Sequence, residues 1–96
     1  MFFFICLVLD VFLHDIIARN RARQICAIPS VCSAHPDVLR ASLLLAEQVD
    51  QPVVIEATSN QVNQDGGYTG MRPADFITFV HGIADAAGVA RSRIIF

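Results

Sequence analysis

The chain reads as a parallel α/β fold, and three observations predict it. Helix-period and strand-like segments alternate along its length. The clearest strand, Pro52-Val53-Val54-Ile55-Glu56-Ala57, is a continuous apolar run, the pattern of a strand buried on both faces. Two helical segments each open on a proline, Pro36 and Pro73, directly after a polar loop. Proline suits the first helical position because the amide it lacks has no partner there.

The elements follow in order. Leu9, Leu13, Ile16 and Ile17 share one helical face with Phe12 beside them, while Asp10, Asp15 and Arg19 lie on others. Arg19, Arg21 and Arg23 close this helix, where cations suit the macrodipole, and read as a solvated last turn. Ile25 to Val31 reads as a strand, although Pro29 interrupts its donors. From Pro36 a helix that is apolar over most of its surface runs to the stop at Gln51-Pro52. After the strand over 52–57 and a loop, Pro73 opens the next helix. Phe76, Val80, Ile83, Ala84 and Ala87 form its inner stripe, and Gly88 fits the left-handed position that ends it. Arg93 to Phe96 begins a third strand. Ending on an uncovered strand, the chain reads as the beginning of a fold rather than a whole one.

The N-terminal run MFFFICLVLDVFL has thirteen residues with Asp10 inside it, short of the ~20 apolar residues of a membrane span. The first basic residue is Arg19, so the charged start of a secretory signal is missing. We read 1–8 as an apolar extension and 9–96 as the domain; the alternatives are a helix that packs against the rest of a larger protein and an uncleaved membrane anchor.

Composition narrows the function. With 96 residues there is room for one small domain, and 54% are hydrophobic, above the ~45–50% usual for globular chains. Such a chain hides its surface in a partner or belongs to something larger. A net charge of −2 gives no footprint for nucleic acid. All seven basic residues are arginine, which excludes a Schiff-base lysine and a Walker-type phosphate loop. Cys6, Cys26 and Cys32 are odd in number and lack zinc-ligand spacing, which favours a reducing cytoplasm and no metal in this chain.

Ligands of α/β folds bind at the carboxyl ends of strands, and two loops leave such ends. One is Ser30-Val31-Cys32-Ser33-Ala34-His35, and the other runs from Glu56 to Gly70. Glu56 ends a buried strand, where a carboxylate needs a partner or a cleft, so it is a candidate acid/base. His35 reads as the cap of the helix at Pro36, with a general acid or metal ligand as the alternative. Asn60, Gln61, Asn63 and Gln64 either hydrogen-bond a polyol or phosphate, or satisfy one another and the loop backbone. Gly66-Gly67 suits a turn or a close approach of backbone amides to a phosphate. His14 and His81 fall on helices away from both loops.

The stretches SVCSAHP (30–36) and IEATSNQVNQDGGYTGMRPADF (55–76) closely resemble the tagatose-1,6-bisphosphate aldolase accessory subunit family, over about Leu13 to Phe96. These are non-catalytic partners of class II aldolases, and some members carry the older label tagatose-6-phosphate kinase. The resemblance implies a (β/α)₈ TIM-type barrel, of which this chain holds two βα units and the start of a third strand. It implies a cytoplasmic role in galactitol or N-acetylgalactosamine catabolism beside a catalytic subunit, which would hold the zinc. The residues that match are Ser33 and His35 in the first loop, and Glu56, Thr58, Asn60, Gln61, Asn63 and Gln64 in the second. The resemblance makes them contacts for a phosphorylated sugar or the partner. Family members usually have glycine where Arg23 and Ala27 stand, and many have an aromatic at Asp65. After the third strand they continue into a GGDHLGPN-like segment that lies beyond Phe96. Alone, then, the chain is expected to lack aldolase activity. Two other readings stay open: a segment of a split sugar-bisphosphate enzyme with Glu56 or His35 as acid/base, and a truncated product without function.

Overall fold

The computed structural model describes the backbone of residues 2–96 and the side chains of residues 12–96. Met1 and the side chains of Cys6, Leu9 and Asp10 therefore lie outside the described residues. The order is α1 (Phe2–Arg21), β1 (Ser30–Cys32), α2 (Pro36–Gln48), β2 (Val53–Glu56), α3 (Pro73–Ala87), a 3-10 turn (Arg91–Arg93) and β3 (Ile94–Ile95). The three strands form one sheet in the order β1-β2-β3, and both pairings are parallel.

Parallel neighbours must be joined by crossovers, and α2 and α3 supply them. Leu39, Leu43 and Ala46 of α2 and Phe76, Val80 and Ala84 of α3 bury against Val53, Ile55 and Ile94. Val89 completes this core. The stripe expected on α3 is the stripe observed, with Ile83 and Ala87 half-buried at its margin. Gly88 ends the helix at φ 72°. Each fully buried Val, Leu or Phe contributes about 1.5–3 kcal/mol, so this one layer holds the fold.

Two expectations need correction. β2 is not buried on both faces: Val53 and Ile55 are, but Val54 is half-buried and Glu56 exposed. Both crossover helices pack on one side, and among the described residues no layer covers the other. The register Ser30↔Val54, Cys32↔Glu56 and Val54↔Ile95 puts these five residues together on that helix-free face.

The strand expected over 25–31 starts only at Ser30. Pro29 has no N–H to donate, although its carbonyl accepts Val54 N–H at 2.9 Å. Ahead of it, Arg23 stands at φ 60°, a left-handed turn that redirects the chain. Ile25 is fully exposed.

The described part of the apolar face of α1 lies largely outside the core. Phe12 and Ile16 are half-buried, but Leu13 and Ile17 are exposed. The helix meets the rest of the fold mainly at the 3-10 turn, and none of its described side chains joins the core. Asn20 Nδ2 ties its end down by donating to the carbonyls of Ile16 and Cys26, both at 2.9 Å. Among the described residues, no helix is long and apolar enough to cross a membrane.

Candidate functional site

The first loop is shaped by its own side chains. Ser33 Oγ accepts the His35 N–H at 3.1 Å, and His35 Nδ1 accepts the Asp37 N–H at 3.1 Å. His35 thus caps α2 and satisfies one of the amides that a helix start leaves open.

The second loop is organised around two of its amides. Gln61 Oε1 accepts the Thr58 N–H at 2.8 Å, while Gln61 N–H returns to Thr58 Oγ1 at 3.2 Å. The Gln61 carbonyl accepts the Thr69 hydroxyl at 2.6 Å, which clasps the two limbs of the loop. Asn63 Nδ2 donates to Ser59 O at 2.7 Å, and its Oδ1 accepts from Asp65 N–H at 2.8 Å and Gly67 N–H at 3.1 Å. Gly66 N–H is used by the Asn63 carbonyl at 2.9 Å. Gln61 and Asn63 therefore build the loop, and the Gly66-Gly67 amides do not stand open for a phosphate. Asn60 and Gln64 are exposed. Gly67 is required by space as well as by its φ of 59°, since a Cβ there would meet the Gln61 carbonyl oxygen at 2.5 Å.

The loops meet. A cleft of about 350 Å³ is lined by Ser33, His35 and Pro36 from the first and by Gln61, Tyr68 and Thr69 from the second. Cys32 Sγ lies 3.8 Å from Gln61 Oε1 at the junction. Glu56 is elsewhere: it borders a more apolar pocket of about 290 Å³ with Phe76, Ile77 and Phe96. Its Oε1 accepts the Ser30 hydroxyl at 2.9 Å on the helix-free face. So the structure brings Ser33, His35 and Gln61 together, sets Glu56 apart, and leaves Thr58, Asn60, Asn63 and Gln64 off the lining of this cleft. Tyr68 and Thr69 are lining residues that sequence reasoning missed. Their position after two glycines in a polar loop was the only available signal.

No group of three or more His, Cys, Asp or Glu suited to a metal occurs among the described residues. Cys26 and Cys32 are free thiols. His81, expected to be incidental, packs edge-on against Phe96 with ring centroids 5.4 Å apart. Burial pushes its imidazole below the usual histidine range and the nearby Arg91 adds to this, against a smaller opposing pull from Asp85.

By architecture the chain is a parallel α/β protein with a cleft built from two strand-end loops, and comparison with known proteins narrows this class. Residues 13–96 match the family described as D-tagatose-1,6-bisphosphate aldolase subunit GatZ/KbaZ-like, and the chain belongs to that family. It is 57% identical over 83 residues to the D-tagatose-1,6-bisphosphate aldolase subunit GatZ of Salmonella paratyphi B, covering 86% of this chain and 20% of that one. The GatZ subunit of Escherichia coli O1:K1 / APEC is 59% identical over the same shares. Among solved structures, a probable tagatose 6 phosphate kinase from Sinorhizobium meliloti 1021 superposes with a TM-score of 0.70 at 57% identity, over 73% of this chain and 18% of that one. The chain thus spans about a fifth of the length of the curated relatives it matches.

Proposed function

We propose that this chain is the N-terminal part of a non-catalytic subunit that supports a class II tagatose-1,6-bisphosphate aldolase in galactitol or N-acetylgalactosamine catabolism. The observation that carries the reading is the meeting of Ser33, His35 and Gln61 in one cleft at the carboxyl ends of adjacent parallel strands, within a chain of the GatZ/KbaZ-like family. Strand order β1-β2-β3 with both helices on one face is what the opening units of a (β/α)₈ barrel need, whereas a doubly wound sheet puts helices on both faces. In this reading 1–8 is an apolar extension and 9–96 is a partial barrel whose helix-free face turns inward. The two loops contact a phosphorylated sugar or the catalytic subunit in the cytoplasm, and that subunit supplies the zinc.

The test is binding and protection. The purified chain, mixed with a catalytic tagatose-bisphosphate aldolase subunit, is expected to co-elute with it and lengthen its activity half-life on warming. The chain alone is expected to release no glycerone phosphate from tagatose 1,6-bisphosphate. A catalytic subunit whose elution and half-life ignore the chain would remove the reading. A split enzyme with its own acid is the second reading, favoured by the exposed Glu56 held by Ser30 at a strand end. Aldol cleavage that appears only on mixing with a separately encoded remainder of the enzyme, with no aldolase subunit present, and disappears with Glu56→Gln would establish it.

A further inference from the structure

We propose that the cleft between the two loops is a donor-lined site for an oxyanion, with a phosphoryl group as the fitting ligand. The proposal rests on the reading that these loops face a ligand, and it adds which chemistry they select.

The polarity of two lining side chains is set from behind. His35 Nδ1 accepts the Asp37 N–H, so a neutral imidazole there carries its proton on Nε2. Gln61 Oε1 is occupied by the Thr58 N–H and faces the Cys32 thiol. The amide's other end, Nε2, keeps two N–H groups that find no acceptor among the described residues. The backbone thereby orients both residues with donors left over. Ser33 Oγ already accepts the His35 N–H, which leaves its own proton to give. Tyr68, well exposed, adds a phenolic hydroxyl. The Thr69 hydroxyl is spent on the Gln61 carbonyl and is not offered.

No Asp or Glu lines this cleft, and Glu56 borders the other pocket. A neutral polyol can also accept from these donors, but without the charge that strengthens the bonds. An oxyanion is acceptor on every oxygen, and hydrogen bonds to a charged acceptor are about twice as strong as neutral ones.

Gln61→Glu is the discriminating variant. It keeps the oxygen that holds the Thr58 N–H and replaces both donors with a carboxylate. The ¹⁵N-labelled chain is titrated with inorganic phosphate at constant ionic strength, following the Gln61 side-chain amide and the His35 ring. Saturable shifts are expected in the native chain. In Gln61→Glu the affinity should fall by roughly tenfold or more, the loss of one charge-assisted hydrogen bond. Unchanged Thr58 and Asp65 amide signals show that the loop persists. Should that variant fail to fold, His35→Asp retains a capping oxygen and puts the same repulsion in the cleft. Equal phosphate responses in native and variant chains overturn the proposal, as does sorbitol shifting the same signals at the same concentration. Phosphate binding without any complex with the aldolase subunit removes only the accessory reading. A complex without phosphate binding removes only the oxyanion site.

Discussion

Arg93 reaches back along the chain to Asp50, with Nη2 donating to Asp50 Oδ1 at 2.7 Å. Its Nε donates to Glu47, so one guanidinium clamps the entry of β3 to the end of α2. The guanidinium side chain is 15% exposed, whereas the Asp50 carboxylate is 85% exposed and its backbone sits at φ 54°.

These magnitudes separate the partners. Arg93→Met should destabilise the fold by about 1–2 kcal/mol, since two charged hydrogen bonds go but Nη1 already lies buried without a partner. Asp50→Gly should stay within about 0.5 kcal/mol of the native chain. It loses an exposed ion pair and relieves a left-handed backbone, two effects of similar size. Urea unfolding of both variants checks this. Equal losses would show that the ion pair with Asp50 carries the clamp.

Arg23→Gly is expected to stabilise the chain by about 0.5–1 kcal/mol. Arg23 holds φ 60°, a conformation that costs a side-chain-bearing residue about 1–2 kcal/mol, and the greater unfolded freedom of glycine returns part of the gain. A rise in the denaturation midpoint at unchanged slope is the readout. A fall would mean that Arg23 makes a contact worth more than its strain.

Two glycines of the second loop should respond unequally. Gly67→Ala forces a Cβ against the Gln61 carbonyl in addition to left-handed strain, and is expected to cost more than about 2 kcal/mol and to disorder the cleft. Gly70→Ala, also at positive φ but with open space around it, should cost only about 1 kcal/mol. Amide exchange at Tyr68 and Thr69 distinguishes them: rapid exchange in the first variant alone is the expected result.

His81 makes stability fall on acidification. Its folded pKa lies below the ordinary 6.5, so the unfolded chain binds the proton first. The contribution is complete above 6.5 and is lost as pH falls from there through the folded value. Asp85, whose pKa is lowered by its hydrogen bonds from Arg91, has the same sign but acts below 3.8. Between these ranges, His81→Phe should keep the edge contact with Phe96 and flatten the decline. A variant curve parallel to that of the native chain would assign the acid sensitivity to another group.

Much of the architecture was legible because its signals are local. Pro36 and Pro73 open their helices, Gly88 ends α3, and the 3.6-residue spacing of Phe76, Val80 and Ala84 marks the buried face. The cap at His35 was legible for the same reason, since its partner is two residues away. The polar character of the second loop was plain, but the roles within it were not. Gln61 and Asn63 look like Asn60 and Gln64 in sequence, and only the closed loop shows which amides the backbone consumes.

By itself, then, the sequence determined the alternation of elements, the two strand-end loops and the kinship that their motifs carry. Tertiary structure decided which sheet face is covered, where β1 begins, and that Ser33, His35 and Gln61 share a cleft from which Glu56 is turned away. The physical reason is range. Caps, proline starts and helix periods act within a turn or two of the chain. Strand register and the packing of both crossovers on one side join residues dozens of positions apart, as in Ser30 to Glu56 and Arg93 to Asp50.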